Sequence, residues 1–477
     1  MSTVSQSAPP RPPTVDAAMW RMALSIVVGA LAVVFDSTIV SVAIHDLGTD
    51  LHAGVGTIAW VSTGYLLAMV IAIPISGWAQ RRVGGKRLWL VSLGLFLLGS
   101  VLCATAWDAP SLIAFRIVQG LGGGVIMPLM TTLIIQEASK RGLSQSLGRI
   151  VAVVSLPAAL GPILGPVLGG LILSAGDWRW LFLINVPLCL AGAALSARNL
   201  PRDEPGGRTP LDVVGLLLVS PGIAGLVYGL SNAHGEGGFG RADVLLPVAV
   251  GAALVAMFAG WSLRRRQAAL VDVGLFRHRP LTSASALLFI TGAALYGAML
   301  LLPLYWQQVR GEDALGAGLL LIPQGVGALL SRSLAGRLTD RIGARTVSVI
   351  GFVVVAVATV PFAFVGTGTS GWLLGTALIV RGVGLGLVTV PLMALGYVGL
   401  AHEEIPHASI ITRVAMQLGG SFGTALLAVI LQRSAAGAGT ASGLADAFDT
   451  AFWWSTGLTA VAVVLCLLLP ARTSAAD

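Results

Sequence analysis

Apolar runs about twenty residues long recur along the whole chain, and no other feature constrains the fold as tightly. A helix needs about 20 residues to cross ~30 Å of hydrocarbon, since each residue advances it by ~1.5 Å. Such runs lie near residues 22–44, 59–79, 88–106, 111–135, 147–173, 179–197, 212–231, 243–263, 282–308, 315–336, 346–366, 371–399, 407–431 and 450–470. Gly and Pro interrupt 212–231 and 371–399, which membrane helices tolerate. Of the 477 residues, 56% are hydrophobic and 10% charged, against roughly 25% charged in soluble domains. So little polar material cannot clothe a water-soluble core. The expected fold is an all-α membrane protein with fourteen transmembrane helices.

A net charge of +8 and a pI near 10.1 raise the question of nucleic acid, and the placement of the charges answers it. With the N-terminus inside, the cytoplasmic side receives most basic residues, among them Arg81, Arg82, Lys86, Arg87, Lys140, Arg141, Arg264, Arg265, Arg266, Arg337, Arg341, Arg345 and Arg413. The outer side receives only Arg179, Arg241, Arg310 and Arg433. This asymmetry obeys the positive-inside rule and puts both termini in the cytoplasm. Charges dispersed over short loops do not make the basic face that nucleic acid requires.

Residues 1–19, rich in Pro, Ser and Thr, read as a disordered cytoplasmic tail. The first apolar run is too long for a signal-peptide core and reads as a retained span. Cys103, Cys189 and Cys466 lie far apart inside apolar runs, so they suit apolar filling rather than disulfides or a metal site. The sequence has no Cys/His cluster, phosphate-cradling loop or room for a soluble domain. The expectation is no cofactor, no metal and no ATP-binding fold, so that any transport would be driven by an ion gradient or be passive.

An internal repeat is visible. Gly77-Trp-Ala-Gln-Arg81-Arg-Val-Gly84 after the second run matches Gly336-Arg-Leu-Thr-Asp340-Arg341-Ile-Gly343-Ala-Arg345 after the tenth. Arg116-Ile-Val-Gln119-Gly120 follows the first copy, and Arg381-Gly-Val-Gly384 the second. The chain therefore divides into a tail (1–19), an N-terminal six-helix half (20–200), two inserted helices with linkers (201–278) and a C-terminal six-helix half (279–477). Repeats of this kind hold their binding site at the interface, near the bilayer midplane.

These residues resemble the major facilitator superfamily, and within it the fourteen-span drug:proton antiporters. The family's loop motif is met in full by Gly336, Leu338, Asp340, Arg341, Gly343 and Arg345. Its fifth-span motif is met by Gly161, Gly165, Pro166, Gly169 and Gly170, and its fourth-span motif by Arg116, Gln119 and Gly120. Phe35-Asp36-Ser-Thr38-Ile39-Val40 and Trp178 to Pro187 match the first-span signature and the start of the sixth span. The first loop motif departs from the pattern: Arg81 stands where the family carries an acid. Ser41 and His45 replace a usual Asn and Pro. The resemblance implies a major facilitator fold of two six-helix halves plus two inserted helices, and a role for the fourth-span arginine in proton coupling.

Asp36 is the residue with most chemistry to offer, because every other acid lies in a loop or near the end of a run. It stands 14 residues into the first run, ~21 Å from its inner end. A carboxylate there costs ~2.5–3.5 kcal/mol on insertion scales. Burial favours its neutral form and a neighbouring cation its charged form, so a carboxyl held between the two can exchange protons. Arg116 lies ~8 Å from the outer end of its run and Asp36 ~12 Å from the outer end of its own, so the two depths permit a pair. A fixed ion pair, or an Arg116 that snorkels outward, is the structural alternative. Arg381, near mid-depth, either faces the cavity or holds helix carbonyls. Arg332 reads as a snorkelling residue one turn from the inner end of its run.

Candidates for the substrate cavity are Tyr65, Gln119, Met127, Tyr296, Tyr305, Gln307, Gln324, Arg381 and Gln417, since Met and aromatic walls repack around varied apolar ligands. Those for conformational change are Gly77, Arg81, Gly84 and the two complete motifs. The expected function is proton-coupled efflux of small amphipathic compounds by alternating access, by a monomer in a bacterial cytoplasmic membrane. A dedicated exporter of one metabolite, self-made antibiotic or lipid is the alternative. A membrane enzyme would need a nucleophile, a metal set or paired acids at one depth, and the runs contain none.

Overall fold

The computed structural model describes residues 16–40, 43–53, 55–143, 147–154, 156–202, 210–234, 238–312, 314–366, 368–435 and 441–467. The tail before residue 16, Arg11, Ser41, Arg208 and Arg472 lie outside the described residues, as do the side chains of His45, Arg149, Pro157 and Pro166. All regular structure among the described residues is helical. The chain runs α1 (Ala17–Ile39), α2 (Ile44–Asp50), α3 (Val55–Ala72), α4 (Ile75–Val83), α5 (Gly85–Ala104), α6 (Ala109–Lys140), α7 (Leu147–Val154), α8 (Leu156–Ala175), α9 (Trp180–Leu183) and α10 (Asn185–Asn199). It continues as α11 (Val213–Ser231), α12 (Ala242–Arg265), α13 (Arg279–Gln308), α14 (Ala314–Leu319), α15 (Ile322–Ile342), α16 (Ala344–Thr359), α17 (Gly371–Leu395), α18 (Ile405–Ala435) and α19 (Ala441–Leu467).

Among the described residues, 12 helices are long and apolar enough to cross a membrane. A thirteenth span forms if α3 and α4 count as one, bent by 57° at the break beside Pro74. The remaining expected run, 147–173, falls on α7 and α8, which flank residue 155; α8 alone is 20 residues long. This is the all-α, many-spanning architecture that the apolar runs predict.

Three boundaries differ from the hydropathy reading, and each has a polar cause. The Asp16 carboxylate accepts the Met19 N–H at 2.9 Å. That cap starts α1 at Ala17, five residues before the apolar run; at its other end α1 stops at Ile39, which leaves Asp36 in the last turn rather than eight residues from an outer end. Asp108 and Ser111 form a reciprocal capping box that starts α6 at Ala109. In the third case, α15 continues through the polar Arg337–Asp340 stretch to Ile342. Arg332 therefore sits in mid-helix and is buried, not snorkelling near an inner end.

In the first half α1 lies between α8 and α10, and α6 packs on α3 and α5. In the second half α13 packs on α18, and α17 on α15 and α16. The two loop motifs share one backbone geometry. Gly84 has φ 97° and ψ 153°, and Gly343 has φ 85° and ψ 155°, a region that side-chain-bearing residues rarely adopt. The inserted helix α11 touches both α3 and α18 and so spans the seam between the halves, anchored by a 2.9 Å bond from Ser220 Oγ to the Ile71 carbonyl. Its partner α12 turns most of its surface outward.

The halves are joined on the side expected to be cytoplasmic. Ser409 Oγ donates to the Pro128 carbonyl at 2.9 Å, and Gln136 Nε2 to the His402 carbonyl at 3.3 Å. Arg81 Nη1 lies 3.2 Å from His407 Nε2. Across the same interface α8 lies against α14 and α15.

Candidate functional site

Asp36 is wholly buried, and its carboxylate is the hub of a polar cluster enclosed by the first half. Arg116 Nη1 donates to Asp36 Oδ2 at 2.5 Å. Gln119 Nε2 and Asn185 Nδ2 each donate to Oδ1 at 2.9 Å. Ser100 Oγ ties these two amides together, accepting from Gln119 at 2.6 Å and Asn185 at 3.2 Å. Arg116 Nε also donates to the Val61 carbonyl at 3.2 Å, and Nη1 to Gln119 Oε1 at 2.6 Å. The Tyr65 ring lies beneath the guanidinium, 4.0 Å from Cζ, a cation–π contact. An acid in the last turn of a helix opposes the helix dipole, and the adjacent cation offsets this. Two opposite charges taken out of water hold together only when their remaining hydrogen-bonding groups are met.

Small residues bring the backbones close enough for this. A Cβ on Gly99 would lie 2.5 Å from Gln119 Cα, and one on Gly120 2.5 Å from the Tyr65 carbonyl oxygen. The α8 glycines do the same beside Asp36. A Cβ on Gly161 would lie 2.1 Å from Val34 Cγ1, and one on Gly165 2.0 Å from Thr38 Oγ1. Val34 and Thr38 bracket Asp36 on α1, and Thr38 Oγ1 donates to the Gly161 carbonyl at 3.0 Å. Gly169 is buried on the same helix and Gly170 partly so.

The second half repeats the arginine but not the acid. Arg381 donates from Nε to Thr359 Oγ1 at 3.2 Å, from Nη1 to Gln324 Oε1 at 2.6 Å and from Nη2 to the Ala294 carbonyl at 3.1 Å. All three acceptors are neutral. One half thus contains a buried ion pair, and in the other the matching arginine meets only neutral acceptors.

A cavity of about 40 Å³ lies between the halves. Met127, Met130 and Thr131 of α6, Val151 and Val154 of α7, Met393 of α17, Tyr397, and Ser409, Arg413 and Met416 of α18 line it. Ligand pockets hold roughly 300–1,000 Å³, so the halves are closed together here. Of the expected cavity residues, Met127 lies on this wall. Tyr65 and Gln119 lie against the Asp36–Arg116 pair, and Gln324 against Arg381. The Tyr305 ring is buried beside Trp306 and Phe448, Gln307 is exposed, and Gln417 is half-buried. Tyr296 packs against Gly420. Ser100 carried no sequence signal, while Asn185 stood only within a motif. Arg413, counted by sequence with the cytoplasmic charges, is a cavity residue.

Residues 26–424 match the family described as the Major Facilitator Superfamily. The chain is 38% identical to the Multidrug resistance protein B homolog of Mycobacterium tuberculosis, over 88% of this chain and 77% of that protein. It is 31% identical to the Multidrug export protein EmrB of Haemophilus influenzae, over 89% of this chain and 82% of that one. The crystal structure of the human organic anion transporter MFSD10 (TETRAN) shares the fold, with a TM-score of 0.63 at 15% identity, over 94% of this chain and 99% of that chain.

Proposed function

This chain belongs to the major facilitator superfamily, and from that premise we propose that it exports small amphipathic compounds (drugs, antibiotics and dyes) in exchange for protons. The setting is a bacterial cytoplasmic membrane, with both termini on the inner face and the monomer as the working unit. The names of its relatives support export of several drugs. The single observation that carries proton coupling is the buried Asp36–Arg116 pair in one half, set against an Arg381 that meets only neutral acceptors in the other.

The ionised carboxylate holds Arg116, Gln119 and Asn185. Protonation removes its charge, weakens the bond to Arg116 and releases the last turn of α1. Val34 and Thr38, on either side of Asp36, are residues that α8 packs against, and α8 also touches α14 and α15 of the other half. A proton taken up at Asp36 thereby biases the interface around the cavity. Substrate enters from the inside or the inner leaflet while Asp36 is ionised, and protonation from outside favours release.

The test is efflux of a dye and antibiotic panel from proteoliposomes, with and without a pH gradient. The wild type is expected to accelerate several panel members under a gradient, and Asp36→Asn to lose that acceleration while remaining folded. Gradient-driven efflux that survives in Asp36→Asn would sink the mechanism.

A further inference from the structure

The cavity between the halves has one charged wall residue, Arg413, and no carboxylate. Arg413 is half-buried on α18 and makes no ion pair or hydrogen bond with any described residue. The rest of the wall is thioether, hydroxyl and aliphatic, with Met127, Met130, Met393 and Met416 contributing four sulfurs. A second buried cation sits on a helix of that seam. Arg332 is buried in mid-α15, the helix that α7 and α8 pack against, and its Nε and Nη1 have no hydrogen-bond partner among the described residues. The opposite charge is smaller: Asp36 is neutralised by Arg116 inside the first half, and Asp212, the other buried carboxylate among the described residues, is held at the start of α11 by the Gly215 and Leu270 N–H groups and Trp261 Nε1. Arg381 adds another buried cation without an acid.

Arg332, Arg381 and Arg413 therefore outnumber the one buried carboxylate without a cationic partner, and the net field is positive within low-dielectric walls, which concentrates anions and repels cations. A free guanidinium facing such a space presents several donors in a planar fork matched to carboxylate or sulfonate. We infer that the cavity selects amphiphiles carrying a carboxylate or sulfonate, with Arg413 as the residue that sets this preference. The inference rests on the exporter reading and narrows its substrate class.

It has an energetic corollary. Each charge moved through 100 mV changes the attainable gradient by roughly fifty-fold. One proton entering for one neutral molecule moves one charge; one proton entering for one monoanion leaving moves two. The membrane potential then supports a gradient on the order of two-thousand-fold instead of fifty-fold.

The experiment uses one fluorescent amphiphile in matched forms, a carboxylate and its trimethylammonium analogue, with the purified full chain. Binding is read by fluorescence polarisation and transport in proteoliposomes. The carboxylate form is expected to bind about tenfold or more tightly than the cationic form. Arg413→Gln should remove that preference, Arg413→Lys keep most of it and Arg413→Glu reverse it, all with unchanged thermal stability. Equal affinity for both forms, or a preference that survives Arg413→Gln and Arg413→Glu, overturns the inference. Binding is scored separately from transport. If the carboxylate form binds through Arg413 but a pH gradient moves neither form, the exporter reading fails and the charge preference stands.

Discussion

Asn185 shows what a single amide can do beside a buried acid. Its Nδ2 donates to Asp36 Oδ1, while its own Oδ1 is buried with no hydrogen-bond partner among the described residues. A half turn of the amide exchanges the two ends. The oxygen then faces Asp36 as an acceptor for the O–H that a protonated carboxyl gains, and Ser100 serves either orientation because a hydroxyl both donates and accepts. Asn185 is thus suited to both protonation states, and Asn185→Leu to neither. That variant is expected to slow gradient-driven efflux by roughly tenfold, the effect of one lost buried hydrogen bond, while substrate exchange without a gradient continues. Unchanged coupling in Asn185→Leu would remove the amide from the mechanism.

The ion pair itself separates stability from coupling. Arg116→Gln strands a buried carboxylate and is expected to cost about 3–5 kcal/mol, whereas the double variant Asp36→Asn/Arg116→Gln should recover most of that loss. Thermal unfolding in detergent gives the first quantity and gradient-driven efflux the second, and the double variant is expected to fold well yet couple no protons. Asp36 and Arg116 were legible in the sequence because a charge in an apolar run has few explanations. Ser100 was not, because a serine inside a helix more often bonds its own backbone.

At the scale of the helix, the proposed mechanism passes the state of Asp36 to the rest of the molecule through the contact between α8 and α1. Gly165 has no room for a Cβ, which would fall 2.0 Å from Thr38 Oγ1 and 2.8 Å from Thr38 Cβ. Overpacking of this kind costs typically ~1–3 kcal/mol and here also forces the helices apart beside Asp36. Gly165→Ala is expected to depress efflux several-fold, and adding Thr38→Ala to restore part of it. Gly94→Ala, with nothing within 4 Å of the added carbon, should be silent. If both glycine variants behave alike in dye efflux, close approach is not what α8 contributes. The glycine spacing was readable in the sequence; that its partner is the Asp36 turn was not, since a glycine face says only that something comes close. Helix ends were misread for a related reason. Hydropathy reports where a chain turns polar, whereas Asp16, Asp108 and the polar end of α15 keep their helices going past that point. Arg332 is buried in mid-helix for this reason, because α15 runs on to Ile342.

For the whole molecule, alternating access requires the contacts joining the halves near α4 and α18 to break and re-form. Arg81, out of place as a loop-motif residue, is one of them. Its Nη1 lies 3.2 Å from His407 Nε2, while the Asp272 N–H approaches His407 Nδ1 at 3.2 Å. A neutral imidazole offers one acceptor nitrogen, so His407 serves one of these donors at a time. A joint with one acceptor for two donors is weakly held, as a closure that must open every cycle should be. Its opening can be blocked directly. A Cβ at Gly77 would lie 3.4 Å from Pro406 Cβ across the interface, close to the ~3.5–4.5 Å that a disulfide spans. The native Cys103, Cys189 and Cys466 are buried and unpaired, so they compete little with an engineered pair. Gly77→Cys/Pro406→Cys is expected to cross-link under mild oxidant, to stop efflux while oxidised and to regain most of it on reduction, with each single variant insensitive to oxidant. Electrophoretic mobility reports the bond and dye efflux its effect. Full transport by the cross-linked protein would mean that the halves do not part on this face, and that substrate reaches the cavity by another path.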